Sequence, residues 1–267
     1  MAAETISPPG PEADETELSQ HRALNKASPK VGAAEFSARA EDIFRGINYL
    51  RDRGVTEREA YGKVAAAYIH EEEVPDLALF SDVLLAAPVI MHEQHHIQEL
   101  RGRYQEGRDA GTREEYQDSV RTLVGYNHKL RDLIYRNPYG FTKNHLVEWL
   151  EKAAGTTGDK IESLVNGVVA EVAVKEELNA MTDVTTNRFA TVEEDLQGTD
   201  LVAEFSNGVA CAIDIKHGEY ATMHGYDRRR DDAVILGLGP EDLQDFRLNR
   251  ASREKVRRQL RSAAGVA

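Results

Sequence analysis

The sequence predicts an α+β protein in which a helical N-terminal half precedes a mixed α/β C-terminal part. Apolar residues recur at helical spacing between positions 37 and 155, and a glycine-containing break follows at 155–158. Beyond the break, one long helical pattern precedes short runs of alternating apolar residues, which are typical of strands. We therefore predict a disordered acidic, proline-containing tail over 1–36, a helical domain over 37–155 and an α/β domain over 156–267.

The helices of the N-terminal half are predicted from apolar stripes and from capping signals. Two pairs have capping-box spacing, Thr56 with Glu59 and Thr112 with Glu115, and each predicts a helix start. Helices are predicted to begin at Ser37, Thr56 and Thr112, and two more are predicted around Met91 and Leu146.

The C-terminal part combines helices with a hairpin. A long helix is predicted over 159–181, and the runs 201–205 and 209–215 flank the turn Ser-Asn-Gly at 206–208. A further strand is predicted over 233–238, and a basic helix or helix pair over 241–264. The domain therefore places a hairpin between helices.

The charge balance is strongly acidic. Acidic residues outnumber basic ones 46 to 33, which gives a formal charge of −13, and ten lysines stand against 23 arginines. This composition resembles that of proteins from halophilic organisms or their viruses. In molar salt the Debye length falls to about 3 Å, so local contacts decide binding and the net charge does not exclude DNA as a partner.

The composition also predicts an intracellular, cytoplasmic protein without a membrane partner. Cys211 is the single cysteine, which excludes an internal disulfide, a cysteine-rich zinc site and an iron–sulfur cluster. No continuous apolar run approaches the roughly 20 residues that span a bilayer. The first residues lack the basic-then-apolar order of a secretory signal.

The turn of the hairpin decides where its polar residues lie. A two-residue Asn-Gly turn would pair Asp200 with Ile215 and would place Asp200 on the face of Ile215, away from Asp214 and Lys216. A three-residue loop with Gly208 in the left-handed conformation instead pairs Asp200 with Asp214. The apolar pattern favours this second register, because it places the apolar residues of both strands on one face, which can be buried as the core side. That face contains Leu201, Ala203, Phe205, Val209, Cys211, Ile213 and Ile215.

The opposite face of the hairpin predicts a metal site. It carries small side chains and ends in Asp200, Asp214 and Lys216. Two aspartates facing each other across a strand pair are unfavourable without a cation. Mg²⁺ typically takes one or two carboxylates together with water and phosphate oxygens, and a nearby lysine would help to position water.

The stretch DLQGTDLV at 195–202, followed by a hairpin and AIDIK at 212–216, resembles the PD-(D/E)XK superfamily of nucleases. That family places an acid at a strand start, (D/E)-x-K at the end of the next strand and a glutamate on the preceding helix, which Glu171 matches. Thr199 stands where the motif has proline. The resemblance covers about 158–240 and implies a restriction-endonuclease-like core with a central mixed sheet flanked by helices.

This resemblance implies a Mg²⁺- (or Mn²⁺-) dependent DNA hydrolase, an endonuclease, with Glu171, Asp200 and Asp214 as metal ligands and Lys216 activating water. No Gln-x-x-x-Tyr element follows Lys216, which leaves endonuclease against exonuclease open. The helical half would select substrate, bind a partner or form a homodimer. The alternative is a non-catalytic nucleic-acid-binding or assembly protein on the same scaffold. Candidate phosphate contacts are Lys175, His217, Arg228, Arg229 and Arg230.

A second motif offers a third function, a zinc metallopeptidase. His92, Glu93 and His96 fit H-E-x-x-H, in which two histidines bind zinc and the glutamate activates water, and Glu115 follows near the spacing of a third ligand. Two observations count against it. Glu115 is predicted to serve a capping box, and residues 37–91 are predicted to be helical, whereas zinc peptidases need an upstream sheet to hold substrate.

Overall fold

The computed structural model describes residues 31–70, 73–107, 110–156, 159–217 and 233–266, and it is α+β as predicted. The helical half contains five α-helices in these residues, the second of which continues into a π-helical turn. The helices are α1 (Ala33–Arg51), α2 (Glu57–Ala65, then the π turn Ala66–His70), α3 (Pro75–Gly107), α4 (Ala110–Arg136) and α5 (Lys143–Ala154).

The beginning of α1 corrects the predicted extent of the N-terminal tail. The helix starts at Ala33, and the Phe36 side chain is fully buried. Its ring packs edge-on against Phe80 at 5.2 Å and Phe141 at 5.0 Å between centroids. Because this aromatic contact anchors the chain, positions 33–36 belong to the helical half. Positions 1–30 of the predicted tail lie outside the described residues.

The helix predicted around Met91 is part of α3, which is 33 residues long and contains Pro88. Its stretch Pro75–Arg103 is long and apolar enough, by length and composition, to cross a membrane, with a mean hydropathy of 1.3. Core helices pass the same test, and the α3 side chains of Phe80 and Leu84 are fully buried inside the helical half. The composition of α3 is thus weak evidence for a membrane span, and the expectation of no membrane partner stays a prediction.

The long helix α6 (Asp159–Asn179) belongs to two hydrophobic cores. Its N-terminal part packs into the helical half, whereas its C-terminal part packs under the sheet. The residues in the helical core are Ile161, Val165, Val168, Val169 and Val172, and those in the sheet core are Ala170, Ala173, Val174 and Leu178. The helix therefore joins the two halves through side-chain packing.

Four strands in the described residues form one mixed sheet in the order β1-β2-β3-β4. β1 pairs antiparallel with β2 and β2 antiparallel with β3, while β3 pairs parallel with β4. The strands are β1 (Val184–Phe189), β2 (Leu201–Phe205), β3 (Ala210–His217) and β4 (Ala233–Leu238). The strand predicted over 233–238 is confirmed, whereas β1 was not predicted. A one-turn helix, α7 (Val192–Asp195), lies between β1 and β2.

The C-terminal segment differs from the predicted helix over 241–264. A 3₁₀ turn (Pro240–Asp242) and a small hairpin of β5 (Leu243–Gln244) and β6 (Arg247–Leu248) precede α8 (Arg250–Ala264). Asp245 has a φ of 54°, which stops a helix at this point. The Asn249 side chain then accepts a hydrogen bond from Ser252 N–H at 2.9 Å and caps α8.

Candidate active site

The β2–β3 hairpin has the predicted register. Gly208 has a φ of 81°, and the Phe205 N–H donates to the Val209 carbonyl at 2.9 Å, which closes a three-residue turn. Leu201 lies opposite Ile213, and the Asp200 N–H donates to the Ile213 carbonyl at 2.8 Å, so Asp200 lies at the end of β3 that carries Asp214. The core face is buried at Leu201, Ala203, Phe205, Cys211, Ile213 and Ile215. Val209, which was predicted for this face, is instead 39% exposed because it lies in the turn.

Asp200 directly precedes β2, where its side chain is half-buried. Its Oδ2 atom accepts a hydrogen bond from the Ile215 N–H at 2.5 Å. Burial raises the pKa of Asp200 to about 7, against the lowering effect of the Ile215 N–H. The carboxylates of Asp214 and Asp195 raise this pKa further, while Lys216 lowers it. Asp200 therefore lies in a site that already holds excess negative charge.

Asp214 and Lys216 are two residues apart on β3 and project to the same face. The Lys216 Nζ lies 2.6 Å from Asp214 Oδ1, and the two side chains are 27% and 14% exposed. The lysine thus has a carboxylate partner and remains accessible from solvent.

Glu171 lies in the middle of α6 with a side chain that is 13% exposed. Its Oε2 atom is 3.1 Å from Arg131 Nη1. Burial raises the pKa of Glu171 well above its usual range, and the carboxylates of Asp200 and Asp195 raise it further, while Arg131 lowers it. Glu171 is therefore electrostatically coupled to the aspartates of the hairpin.

Three residues that the sequence did not single out lie at this acidic group. Asp195 ends α7, the short helix that Thr191 caps, and its Oδ2 lies 2.9 Å from His128 Nε2. His128 and Arg131 both come from α4, three residues apart and therefore on one face. Asp195 stands in the stretch that resembles the nuclease motif, but no local signal marks two side chains of a helix some 60 residues upstream. The term acidic group is used below for Glu171, Asp195, Asp200 and Asp214.

The acidic group has the chemistry that suits a hard divalent cation. In the described ranges, no three histidine, cysteine, aspartate or glutamate side chains converge into a ready ligand set. Mg²⁺ requires only one or two carboxylates when waters and substrate phosphates complete its shell. Oxygen ligands that raise one another's pKa also gain from a cation that offsets their repulsion. The carboxylates therefore have the ligand chemistry that Mg²⁺ or Mn²⁺ takes.

The outer face of the sheet beside the acidic group carries small or exposed side chains. Ala212 precedes Asp214 on this face, and Val202 lies opposite Ala212. In the parallel pair, Asp214 lies beside Ile235 of β4, whose side chain is 49% exposed. An extended ligand could therefore approach this face closely.

Two of the predicted phosphate contacts can be placed. Lys175, a predicted phosphate contact, has a buried side chain whose Nζ donates to the Asn187 carbonyl at 2.5 Å, which counts against a role in binding nucleic acid. His217 is half-buried at the end of β3, and burial together with Lys143 lowers its pKa. The remaining candidates, Arg228, Arg229 and Arg230, lie outside the described residues.

The basic helix α8 is partly neutralised by acids of the same domain. Arg257 forms an ion pair with Glu177, and Arg253 lies 3.7 Å from the same carboxylate. Arg261 binds Asp183 through two nitrogen–oxygen contacts of 2.7 and 3.2 Å. These arginines thus stabilise the packing of α8 against neighbouring elements.

The H-E-x-x-H segment lies on α3 and contacts α4. The His92 and His96 rings are parallel within 5° at 6.2 Å between centroids, and His96 Nε2 lies 3.1 Å from Glu115 Oε1. The predicted capping role of Glu115 was wrong, since α4 begins at Ala110 and Thr112 lies inside it. The described residues before His92 form helices and contain no strand. The zinc site at His92, Glu93 and His96 stays a prediction.

Comparisons of the chain with protein-family models, curated proteins and solved structures gave no match. The basis for a function is therefore the arrangement of the side chains, above all the acidic group with Lys216.

Proposed function

We propose that the protein is a Mg²⁺- or Mn²⁺-dependent DNA phosphodiester hydrolase, an endonuclease of the PD-(D/E)XK type. One observation carries the proposal: the Asp200 side chain binds the Ile215 N–H of β3, between Asp214 and Lys216, which form an ion pair with each other. An ion pair that served only the stability of the fold would need one aspartate. The second half-buried aspartate, with its raised pKa, suits a site that takes up a cation.

Each residue has a distinct role in this proposal. Asp200 and Asp214 would hold the cation together with water and phosphate oxygens, and Glu171 is the further ligand that the resemblance implies. When bound, the cation supplies Lewis-acid polarisation of a phosphate oxygen and lowers the pKa of a bound water. The Lys216 ammonium orients the attacking water and offsets the negative charge that builds on the phosphate oxygens. The water oxygen bonds to phosphorus and releases a proton to solvent, while the bond from phosphorus to the leaving nucleoside oxygen breaks and that oxygen takes up a proton from solvent.

The placement of the residues agrees with what the sequence resemblance implies. Asp200 stands at the start of β2, the D-x-K pair stands near the end of β3, and Glu171 stands on the helix before the sheet. The sheet is mixed, and α6 and α8 pack against it. These features support a restriction-endonuclease-like core.

A non-catalytic nucleic-acid-binding protein is the second candidate, and one observation favours it. Asp214 is paired with Lys216, Glu171 with Arg131, and Asp195 with His128. A scaffold that had lost its metal would retain such internal charge pairs.

Incubation with supercoiled plasmid and with linear duplex, single-stranded and branched DNA, from low to molar KCl and alongside a DNA-binding assay, separates the two candidates. The arms contain Mg²⁺, Mn²⁺, Zn²⁺ or EDTA. We expect nicking or linearisation with Mg²⁺ or Mn²⁺ and none with EDTA. Protein that leaves duplex, single-stranded and branched DNA intact with every metal, yet binds DNA, would establish the non-catalytic candidate instead.

A matched pair of variants assigns the activity to the site. Asp214→Asn should abolish cleavage. The control is Asp183→Asn, because Asp183 has a similarly buried side chain (13% exposed) and a similar ion pair with Arg261 at 2.7 Å. Asp183 precedes Val184, which pairs with Phe205 at the opposite end of β2 from Asp200. Equal loss of cleavage in both variants would contradict the assignment.

A further inference from the structure

Helix α4 of the helical half presents two basic side chains to the acidic group. Arg131 contacts Glu171 at 3.1 Å, and His128 contacts Asp195 at 2.9 Å. The other charged contacts of α4 point elsewhere; for example, Arg136 pairs with Asp76 inside the helical half at 2.7 Å. One face of α4 is therefore devoted to this group.

Arg131 is buried between the two halves of the chain and binds through both terminal nitrogens of its guanidinium. Its side chain is 4% exposed, and its guanidinium lies 4.3 Å from the centre of the Phe189 ring. Its Nη2 donates to the Ala190 carbonyl at 3.4 Å. A charge buried this deeply is costly unless its hydrogen bonds are well placed, and the same bonds fix the orientation of its partner carboxylate.

The contacts of Arg131 also reach the hairpin. Ala190, whose carbonyl accepts from Arg131, donates its own N–H to the Asp200 carbonyl at 2.9 Å. The guanidinium thus connects Glu171 on α6 with the backbone that carries Asp200. His128 fixes Asp195, which lies in the same connection between β1 and β2.

We propose that the helical half is an integral part of the site, with Arg131 as a positioning residue for Glu171 and His128 as a positioning residue for Asp195. This inference rests on the proposed function, since it assigns these residues to the cation site of that hydrolase. Neither residue touches the substrate: Arg131 orients Glu171, a ligand in the proposed site, and His128 orients Asp195, whose carboxylate acts electrostatically on Glu171 and Asp200.

Mn²⁺ binding to the full chain, measured by titration calorimetry, tests the inference. Loss of a partner that orients a metal ligand typically weakens metal binding by about 10-fold to 100-fold. We expect Arg131→Met to weaken Mn²⁺ binding by this factor and Arg131→Lys to weaken it less. Arg136→Met is the matched control on the same helix and should change Mn²⁺ affinity less than about twofold.

A double-mutant cycle separates positioning from general stabilisation. If Arg131 acts through Glu171, Arg131→Met should add less than about twofold in a Glu171→Gln background. His128→Ala should weaken Mn²⁺ binding, whereas His128→Gln, which can still donate to Asp195, should restore most of it. Thermal unfolding shows which variants fold. If Arg131→Met does not fold, the Mn²⁺ affinity of Arg131→Lys decides the question.

The possible outcomes are distinct. Additive effects in the cycle, or equal effects of Arg131→Met and Arg136→Met, would overturn the inference. Tighter Mn²⁺ binding by Arg131→Met would also overturn it, because the arginine would then compete with the cation. Coupled Mn²⁺ binding without any DNA cleavage would support the inference and reject only the hydrolase. A wild-type chain that binds no Mn²⁺ would reject both.

Discussion

The D-x-K pair combines two roles that substitutions can separate. Asp214 would contribute oxygen to the cation, whereas Lys216, whose Nζ lies 2.6 Å from Asp214 Oδ1, would act on water and phosphate. A lysine at this distance also lowers the repulsion between Asp214 and Asp200. The pair should therefore respond differently according to which member is replaced.

Lys216→Met should slow cleavage while leaving Mn²⁺ bound. The change removes no ligand, so we expect Mn²⁺ affinity to stay the same or rise, and kcat to fall by a factor on the order of 10² or more. Asp214→Asn should instead weaken both Mn²⁺ binding and cleavage. Single-turnover cleavage and calorimetry distinguish these results, and Lys216→Met with wild-type kcat would contradict the role of the lysine.

Asp200 should make stability depend on pH. Its pKa rises from 3.8 in an unfolded chain to about 7 in the folded protein, so the folded state binds more protons between these values. The free energy of unfolding contributed by this group therefore falls as pH rises through this window. Glu171, whose pKa is also raised, acts in the same direction.

Asp200→Asn should remove this dependence, because the amide oxygen can still accept from the Ile215 N–H but carries no charge. In EDTA, the melting temperature of the variant relative to wild type should increase as pH rises from about 4 to about 8. Added Mn²⁺ should reduce the difference by stabilising wild type. A difference that is independent of pH would contradict the raised pKa.

At the scale of elements, the turn of the hairpin determines the register on which the site depends. Gly208 has a φ of 81°, and a Cβ at this position would meet nothing within 4 Å. Any cost of a side chain there is therefore conformational. A slip of one residue would move Asp200 to the opposite face of the sheet.

Gly208→Ala should lower the free energy of unfolding by about 1–2 kcal/mol, the cost of a left-handed conformation for an L-residue. Gly125→Ala is the control, because Gly125 lies inside α4 and a Cβ there also meets nothing within 4 Å. This control should be neutral or stabilising by about 0.4–1 kcal/mol. Chemical denaturation measures both changes, and equal effects would exclude a conformational cause.

The elements of the fold differ in whether the sequence alone predicts them. The register of the hairpin could be predicted, because alternation of apolar and polar residues is a local property that one core face enforces. β1 could not, since the strand VTTNRF lies at the sheet edge with polar residues on both faces. Likewise, Thr112 has capping spacing but lies inside α4, where the preceding residues extend the helix.

The residues of the candidate site divide along the same line. Asp200, Asp214 and Lys216 could be predicted because they belong to one hairpin. Arg131 and His128 could not, because their approach to the acidic group depends on how α4 packs across α6 and α7. Packing of distant elements leaves no periodic signal in the sequence.

For the whole molecule, the sharing of α6 makes the two halves interdependent. Val165 and Val169 are fully buried in the helical core, yet they belong to the helix that also carries Glu171. A fragment of residues 156–267 would expose this apolar surface to water. We expect the fragment to bind a hydrophobic dye and to unfold without a sharp transition, whereas the full chain unfolds cooperatively. A fragment with a cooperative calorimetric transition would contradict this interdependence.

The charge of the whole chain should make its stability depend on salt. At a net charge of −13, self-repulsion disfavours the compact state, and salt screens this repulsion. We expect the melting temperature to rise from dilute buffer to molar KCl. Guanidinium chloride should therefore be avoided as a denaturant in favour of urea at fixed KCl. A melting temperature that falls with KCl would contradict this effect of charge.

Cys211 provides a chemical probe of the site's own sheet. It is the single thiol of the chain, 5% exposed on the core face of β3 opposite Ala203, and burial raises its pKa. The side chain belongs to the core that β2 and β3 share with α6 and α8, so a thiol reagent should reach it faster when this packing opens. The labelling rate therefore reports the opening equilibrium of the hairpin that carries Asp200 and Asp214. Divalent cations should slow labelling of the wild type but not of Asp214→Asn, so a single reagent can detect metal binding without any DNA present.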